Sequence, residues 1–154
     1  MPNYIGRFAP SPTGPLHFGS LLTALASWCD ARAAKGQWLL RIEDVDVVRT
    51  QQGAADHIIR TLEHYGLWWD GKIIYQSQRT ERYQAALQQL QQQNEVFWCT
   101  CSRAELAQTQ SAIYTGHCRT HHQYSSQAAA RIRVNNSIID FDDDVFGHIS
   151  ENIA

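Results

Sequence analysis

Arg7–Ser20, reading RFAPSPTGPLHFGS, is the stretch on which the reading of this chain turns. A short apolar segment, Tyr4 to Phe8, leads into it, and an Ala/Leu-rich segment with helical periodicity follows it. Pro10, Pro12 and Pro15 each fix φ and remove a backbone donor, so the intervening loop is expected to be stiff and extended. Gly19 has no Cβ, so backbone at the start of the following helix is expected to approach a ligand closely. Unpaired N–H groups and the positive dipole end at a helix N-terminus suit phosphate. His17, in that first turn, is placed to donate to an anion that gains charge during a reaction. An isolated His-x-Gly would be an ordinary first turn after a Pro-rich loop; here the whole string has to be accounted for.

Working outward, Tyr4–Phe8 reads as a first buried strand. Phe18, Leu21, Leu22, Leu25, Cys29 and Ala33 recur at helical spacing, which predicts a helix to about Lys35 ended by Gly36, with Cys29 on its core face. Gln37–Ile42 (QWLLRI) is a second strand, and strand–helix–strand order predicts a parallel α/β unit. Thr50 is expected to cap a helix through Tyr65, with Ile58, Ile59 and Leu62 on one face and Gly66 as its stop. A Trp-rich connector with an Asp70-Gly71 turn follows, then a helix capped by Ser77 through Gln93, and a short strand Val96–Cys99. Ser102-Arg-Ala-Glu105 has capping-box form. Ala129–Val134 and Ile138–Phe141 alternate like antiparallel strands about an Asn135-Asn136 turn.

Composition bounds the rest. The 154 residues, 44% apolar with five Trp, suffice for a folded domain with a core. No run of about 18 apolar residues suggests a membrane span. MPNYIGRF has neither a basic nor an apolar leader segment, and the cysteines lack framework spacing, so a reducing cytoplasm is expected. The net charge of −2 gives no electrostatic footprint for nucleic acid, which leaves only a local Arg patch.

Two constellations could carry chemistry. Glu43, Asp44, Asp46 and Arg49 follow the second strand, and in open α/β sheets ligands bind beyond the carboxyl ends of strands. Glu43 and the Arg7–Ser20 loop are therefore expected to face one crevice, although a charged post-strand turn is more often solvated. Cys99, Cys101 and Cys118 lie within 20 residues, with His117, His121 and His122 nearby. The spacing favours a zinc site of Cys99, Cys101, Cys118 and His121 over a set of reduced thiols.

The Arg7–Ser20 string resembles the first signature of class I aminoacyl-tRNA synthetases in its glutamate branch. His17–Ser20 stands where that class carries His-Ile-Gly-His, with Ser20 in place of the final histidine. Arg41-Ile-Glu-Asp44, followed by Asp46 and Arg49, resembles the same branch. So do CxCxR from Cys99 and YxxxC from Tyr114, together with LEHYGLWWDG, YQSQR and WCTCSR, which are similar to the small glutamyl-queuosine tRNA(Asp) synthetases. The fold this implies is α/β: the N-terminal part of a Rossmann-like nucleotide-binding fold with a small zinc-bearing insertion. The expected organisation is a catalytic half-domain over 1–95, the insertion over 96–125, and a β segment over 126–154.

The resemblance also implies roles. Arg7, Ser11 and Glu43 would hold glutamate, the first two through carboxylate and Glu43 through the amino group, in keeping with an Arg donor fork and a carboxylate acceptor. Pro10, His17, Phe18, Gly19 and Ser20 would hold ATP with Mg2+, with His17, Gly19 and Ser20 serving the reaction. Tyr114 replaces His121 as fourth ligand of a structural Zn2+. The implied reaction is activation of glutamate and its transfer to queuosine in the anticodon of tRNA(Asp), by a monomer. The family carries a second half-fold with a lysine-bearing KMSKS-like loop, whereas Lys35 and Lys72 are the lysines here and neither lies in such a loop. The expectation is a truncated chain, impaired in the reaction and prone to self-association along an exposed sheet face. The alternatives are a piece of a glutamyl-tRNA synthetase, and a non-catalytic zinc-bearing module that binds glutamate or a partner.

Overall fold

The computed structural model describes residues 4–108, 117–120 and 126–152. Its contacts divide the chain into two compact units, Met1–Tyr83 and Gln84–Ala154.

In the first unit β1 (Ile5–Phe8), α1 (Phe18–Ala33), β2 (Gln37–Ile42), α2 (Ala54–His64) and β3 (Ile74–Tyr75) follow one another. The three strands form a parallel sheet in that order, with Arg7 opposite Leu39 and Arg41 opposite Ile74. Continuing in one direction with right-handed crossovers puts both helices on one face. That face carries the core: Phe8, Trp38, Leu40 and Ile42 pack with Ala24 and Ala31 of α1 and Ile58 and Leu62 of α2. The opposite face carries Ile5 and Arg7, both exposed, and the half-buried Leu39 and Arg41.

Alternation in β2 follows the sequence pattern, but α1 presents a different stripe from the one its large residues predict. Ala24 and Ala31 are fully buried, whereas Phe18, Leu22, Leu25, Cys29 and Ala33 are exposed. The reason is close approach: a Cβ on Gly6 would lie 3.1 Å from Trp38 and 3.3 Å from both the Ala31 Cβ and the Ser27 carbonyl. Small residues fit directly over that strand, so Leu22 and Leu25 turn away from the sheet while Leu21 and Trp28 pack half-buried against the edge of the core. A serine completes the fit, Trp38 Nε1 donating to Ser27 Oγ at 3.0 Å.

The start of α2 also departs from expectation. Thr50 does not cap it; its hydroxyl donates to the Asp46 carbonyl at 2.8 Å, and the cap is Gly53 with φ of 77°. The end is as expected, with Gly66 at φ of 72° and its N–H bonded to the Glu63 carbonyl at 3.0 Å. The connector beyond it folds back on β2. Asp70 accepts from the Trp38 N–H at 2.8 Å and from Arg32 Nη1 at 2.8 Å, and its own N–H donates to the Trp38 carbonyl at 2.8 Å. Ser77 serves not as a simple cap but as a tie: its N–H and hydroxyl donate to the Asp44 carboxylate at 2.8 and 2.6 Å. A 3-10 turn, Gln76–Arg79, then leads into α3 (Thr80–Gln92).

In the second unit β4 (Val96–Cys99) is buried along its whole length and pairs antiparallel with β5 (Ala129–Ile132), Cys99 opposite Ala129. α4 (Arg103–Gln108) starts with the expected capping box: Ser102 N–H donates to Glu105 Oε2 at 2.7 Å, and Glu105 N–H donates to Ser102 Oγ at 3.2 Å. The hairpin expected about Asn135-Asn136 does not form. β6 (Ile138–Asp143) pairs instead with β7 (Gly147–Asn152), so the segment after Phe141 is a return strand. Asp143 Oδ1 makes that turn by accepting the N–H groups of Val145 and Phe146 at 2.9 and 2.8 Å, which holds its carboxyl below the usual range. Buried β4 needs a pairing partner, which outcompetes the local turn for β5.

Candidate active site and cysteine cluster

The carboxyl end of β1 opens into a cleft of about 420 Å³, whose lining includes Pro10, Ser11, Thr13, His17, Ser20 and Arg49. The wall is built by the Pro-rich loop, which is fastened to the rest of the sheet by backbone bonds. Glu43 N–H donates to the Pro10 carbonyl at 3.0 Å, and Gln51 N–H donates to the Pro12 carbonyl at 2.9 Å. Thus the loop after β1 and the turn after β2 meet, as the strand order requires.

His17 is the N-cap of α1 rather than a residue of its first turn. Its Nδ1 accepts the Ser20 N–H at 3.3 Å, and its Nε2 lies 3.0 Å from Ser20 Oγ. An accepting Nδ1 places the proton of the neutral ring on Nε2. Nε2–H therefore donates to Ser20 Oγ, which leaves the serine hydroxyl proton to donate elsewhere. Gly19 also makes room for a side chain. A Cβ there would stand 3.1 Å from His17 Cε1 and 3.2 Å from Nδ1, so the missing side chain makes room for the imidazole.

The structure distributes the remaining candidates over three places. Pro10, Ser11, His17 and Ser20 line the cleft. Arg7 and Glu43 are not among its lining residues; Arg7 lies on the open face of the sheet, and the Glu43 carboxylate is paired with Arg41. Phe18, 81% exposed, borders a separate apolar groove with Leu21, Leu22, Leu25, Tyr65 and Leu67. Thr23 is a cleft residue that the sequence reading did not single out, while Thr13 lies within the Arg7–Ser20 stretch and Arg49 within the constellation after the second strand. Arg49 is held by Asp46, which accepts from its Nε at 2.6 Å and its N–H at 3.1 Å; these bonds lower the Asp46 carboxyl. The signals for Arg49 were its position in the turn after β2 and its place in the string that resembles the glutamate branch.

In the second unit the sulfurs of Cys99, Cys101 and Cys118 all lie within 4.8 Å of one another. Cys99 and Cys118 are buried with Phe97, and the Cys101 and Cys118 sulfurs are 3.5 Å apart. The neighbouring Cys118 thiol, with burial and Cys99 behind it, pushes Cys101 up to about 11. Three converging soft donors fit a thiophilic metal, which would have to displace their protons on binding. Tyr114 and His121 lie outside the described residues. No helix among the described residues is long and apolar enough to cross a membrane.

A parallel sheet whose first strand runs through a Pro-rich loop into a histidine-capped helix fits the catalytic domain of a class I synthetase. The family model described as tRNA synthetases class I (E and Q), catalytic domain, matches residues 5–147, and the chain belongs to that family. It is 51% identical over 153 residues to a glutamyl-Q tRNA(Asp) synthetase of Escherichia coli strain K12, covering 98% of this chain and 49% of that protein. The corresponding Yersinia pestis protein is 51% identical over 151 residues, covering 98% and 47%. Among solved structures, a glutamate tRNA ligase from Elizabethkingia meningosepticum matches with a TM-score of 0.79 at 26% identity, over 97% of this chain and 36% of that chain. The chain thus spans about half the length of the curated relatives it matches.

Proposed function

We propose that this chain provides the nucleotide- and glutamate-binding part of a glutamyl-Q tRNA(Asp) synthetase. The observation that carries the reading is the cleft at the end of β1, where Ser11, His17 and Ser20 converge beside the first turn of α1. ATP would lie there with its phosphates against the Phe18 and Gly19 N–H groups, which have no intrahelical acceptor. His17 Nε2–H polarises the Ser20 hydroxyl, and that hydroxyl donates to a phosphate oxygen whose charge grows in the transition state. A glutamate carboxylate oxygen attacks the α-phosphorus; the bond to the bridging oxygen of the β-phosphate breaks, giving glutamyl-adenylate and pyrophosphate. Magnesium, where bound, offsets phosphate charge. Similarity to the glutamate branch assigns a glutamate carboxylate to Arg7 and Ser11 and its ammonium to Glu43; of these Ser11 lines the cleft, whereas Arg7 lies on the open face of the sheet and Glu43 is paired with Arg41. Transfer to queuosine of tRNA(Asp) rests on similarity to the relatives alone.

Zinc would be held by Cys99, Cys101 and Cys118, with Tyr114 as the proposed fourth ligand, and would serve structure. Residues 1–95 then form the catalytic half-domain, 96–125 the zinc-bearing insertion and 126–154 the following β segment. Reduced thiols of this kind suit the cytoplasm.

The test is glutamate-dependent ATP–pyrophosphate exchange by the purified chain. Exchange above background, followed by transfer to queuosine-containing tRNA(Asp) and not to tRNA(Glu), would support the reading. Transfer to tRNA(Glu) would favour a glutamyl-tRNA synthetase. A folded, metal-loaded protein without exchange would favour a binding module.

A further inference from the structure

Glu43 lies just beyond the last residue of β2, and a free glutamate side chain there would sample many rotamers. It is not left free. Arg41 Nη2 donates to Glu43 Oε1, joining two residues two positions apart on one face of the sheet. The pair is only partly solvated, with side-chain exposures of 23% for Arg41 and 31% for Glu43. Both ends are anchored through the backbone. Arg41 sits opposite Ile74 in the parallel ladder, and the Glu43 N–H is tied to the Pro10 carbonyl at 3.0 Å. Arg41 Nε is buried without a hydrogen-bond partner among the described residues, so the guanidinium has spare donor capacity beyond its Nη2 bond to Glu43. Arg7 stands on the same face, opposite Leu39 and thus two positions before Arg41 along the sheet.

We propose that Arg41 is a positioning residue for amino-acid recognition: it holds Glu43 Oε1 so that Oε2 is presented to the ammonium of glutamate. This rests on the reading of Glu43 given above. A carboxylate fixed before binding loses less side-chain freedom when the ligand arrives, and a planar guanidinium fixes it better than an ammonium does. Arg41 makes no contact with glutamate in this account, so its removal acts only through the amino group. An analogue without that group, glutarate, separates such a role from a general structural one.

The test is calorimetric titration of the full chain with L-glutamate and with glutarate, for wild type, R41Q, R41K and E43Q. Wild type is expected to prefer glutamate, and E43Q to lose that preference. R41Q is expected to weaken glutamate about tenfold, the scale of one charge-assisted hydrogen bond, with glutarate unchanged. R41K, which keeps the charge without the fork, is expected to fall between wild type and R41Q, and it carries the test should R41Q not fold. Equal weakening of both ligands, or glutamate binding unaltered in R41Q and R41K while E43Q behaves as stated, overturns the role of Arg41 alone. A wild type that binds no glutamate, or does not distinguish it from glutarate, overturns the Glu43 reading and this inference with it.

Discussion

The two halves of the chain hold their functional groups in place by different means. Around the β1–α1 cleft, geometry is inherited from a core: Phe8, Trp38, Leu40 and Ile42 on the sheet, closed by Ala24, Ala31, Ile58 and Leu62. Among the described residues the buried group at the cysteine cluster is smaller: Phe97, Cys99 and Cys118 with Cys101 packed against them, while Val96 and Trp98 of β4 are also buried. Among the described residues, buried apolar area supports the first arrangement more than the second. The contrast teaches that the thiols are better understood as the missing part of a core than as decoration on one. It also says where each half should fail.

Metal removal should produce the largest effect. Structural zinc contributes apparent binding energies of about 10–16 kcal/mol in small domains. Chelation, or C101S, is therefore expected to melt the second unit and to leave the α/β signal of the first. Circular dichroism with metal analysis checks this; a protein whose melting is indifferent to both treatments would break the comparison. Because Cys101 is pushed up to about 11 by Cys118 in the metal-free cluster, protons compete with the metal. Metal affinity should accordingly rise with pH across the neutral range. In the first unit the corresponding blow is W38A. Trp38 is fully buried, stacks 6.2 Å from Phe8 and donates to Ser27, so its loss should cost about 3–5 kcal/mol in urea denaturation. A cost well below that would mean the core does not support the cleft.

How much of this could be read from residues alone follows the same division. The cleft was legible because its parts are local: three prolines, a helix start and a strand end are all contained in one string, and parallel order then brings Glu43 to the same loop. Period-two burial in β2 was equally legible. The stripe of α1 was not, because hydrophobic spacing ranks residues by size, and contact over Gly6 selected the small ones. The partner of β5 was missed for a related reason. A nearby turn favours the local hairpin, but β4, buried throughout, lies some thirty residues back and outweighed it. For the cysteines, sequence gave proximity as a count within a window, and only folding brings the three sulfurs within 4.8 Å.

Asp70 offers a smaller test, on the edge between core and connector. The Trp38 N–H, and then Arg32, hold its carboxyl below the usual range. A lowered folded value contributes stability above the unfolded pKa of about 3.9, and that contribution is lost as pH falls through the folded value. With the side chain 36% exposed, D70A should cost only about 1 kcal/mol at neutral pH, and the gap from wild type should close in acid. A gap independent of pH would assign the effect to packing instead of charge.

The smallest change in stability is expected where the change in function is clearest. In G19A the new Cβ would meet the His17 ring at 3.1 Å, and the ring, being a side chain, can swing away. Doing so gives up the Nδ1 bond to the Ser20 N–H and the Nε2 contact with its hydroxyl. Loss of that cap costs about 1 kcal/mol, and alanine over glycine in a helix returns about as much. The melting temperature should therefore hardly move. Nucleotide affinity should fall about tenfold, because one oriented donor to phosphate is lost. H17N separates the two roles: asparagine still caps the helix but has no Nε2, so it should retain stability and lose affinity to the same extent. If G19A binds nucleotide as tightly as wild type while H17N does not, the histidine matters and its packing over Gly19 does not. If both bind normally, the phosphates lie elsewhere in the cleft, and Arg49 becomes the group to remove next.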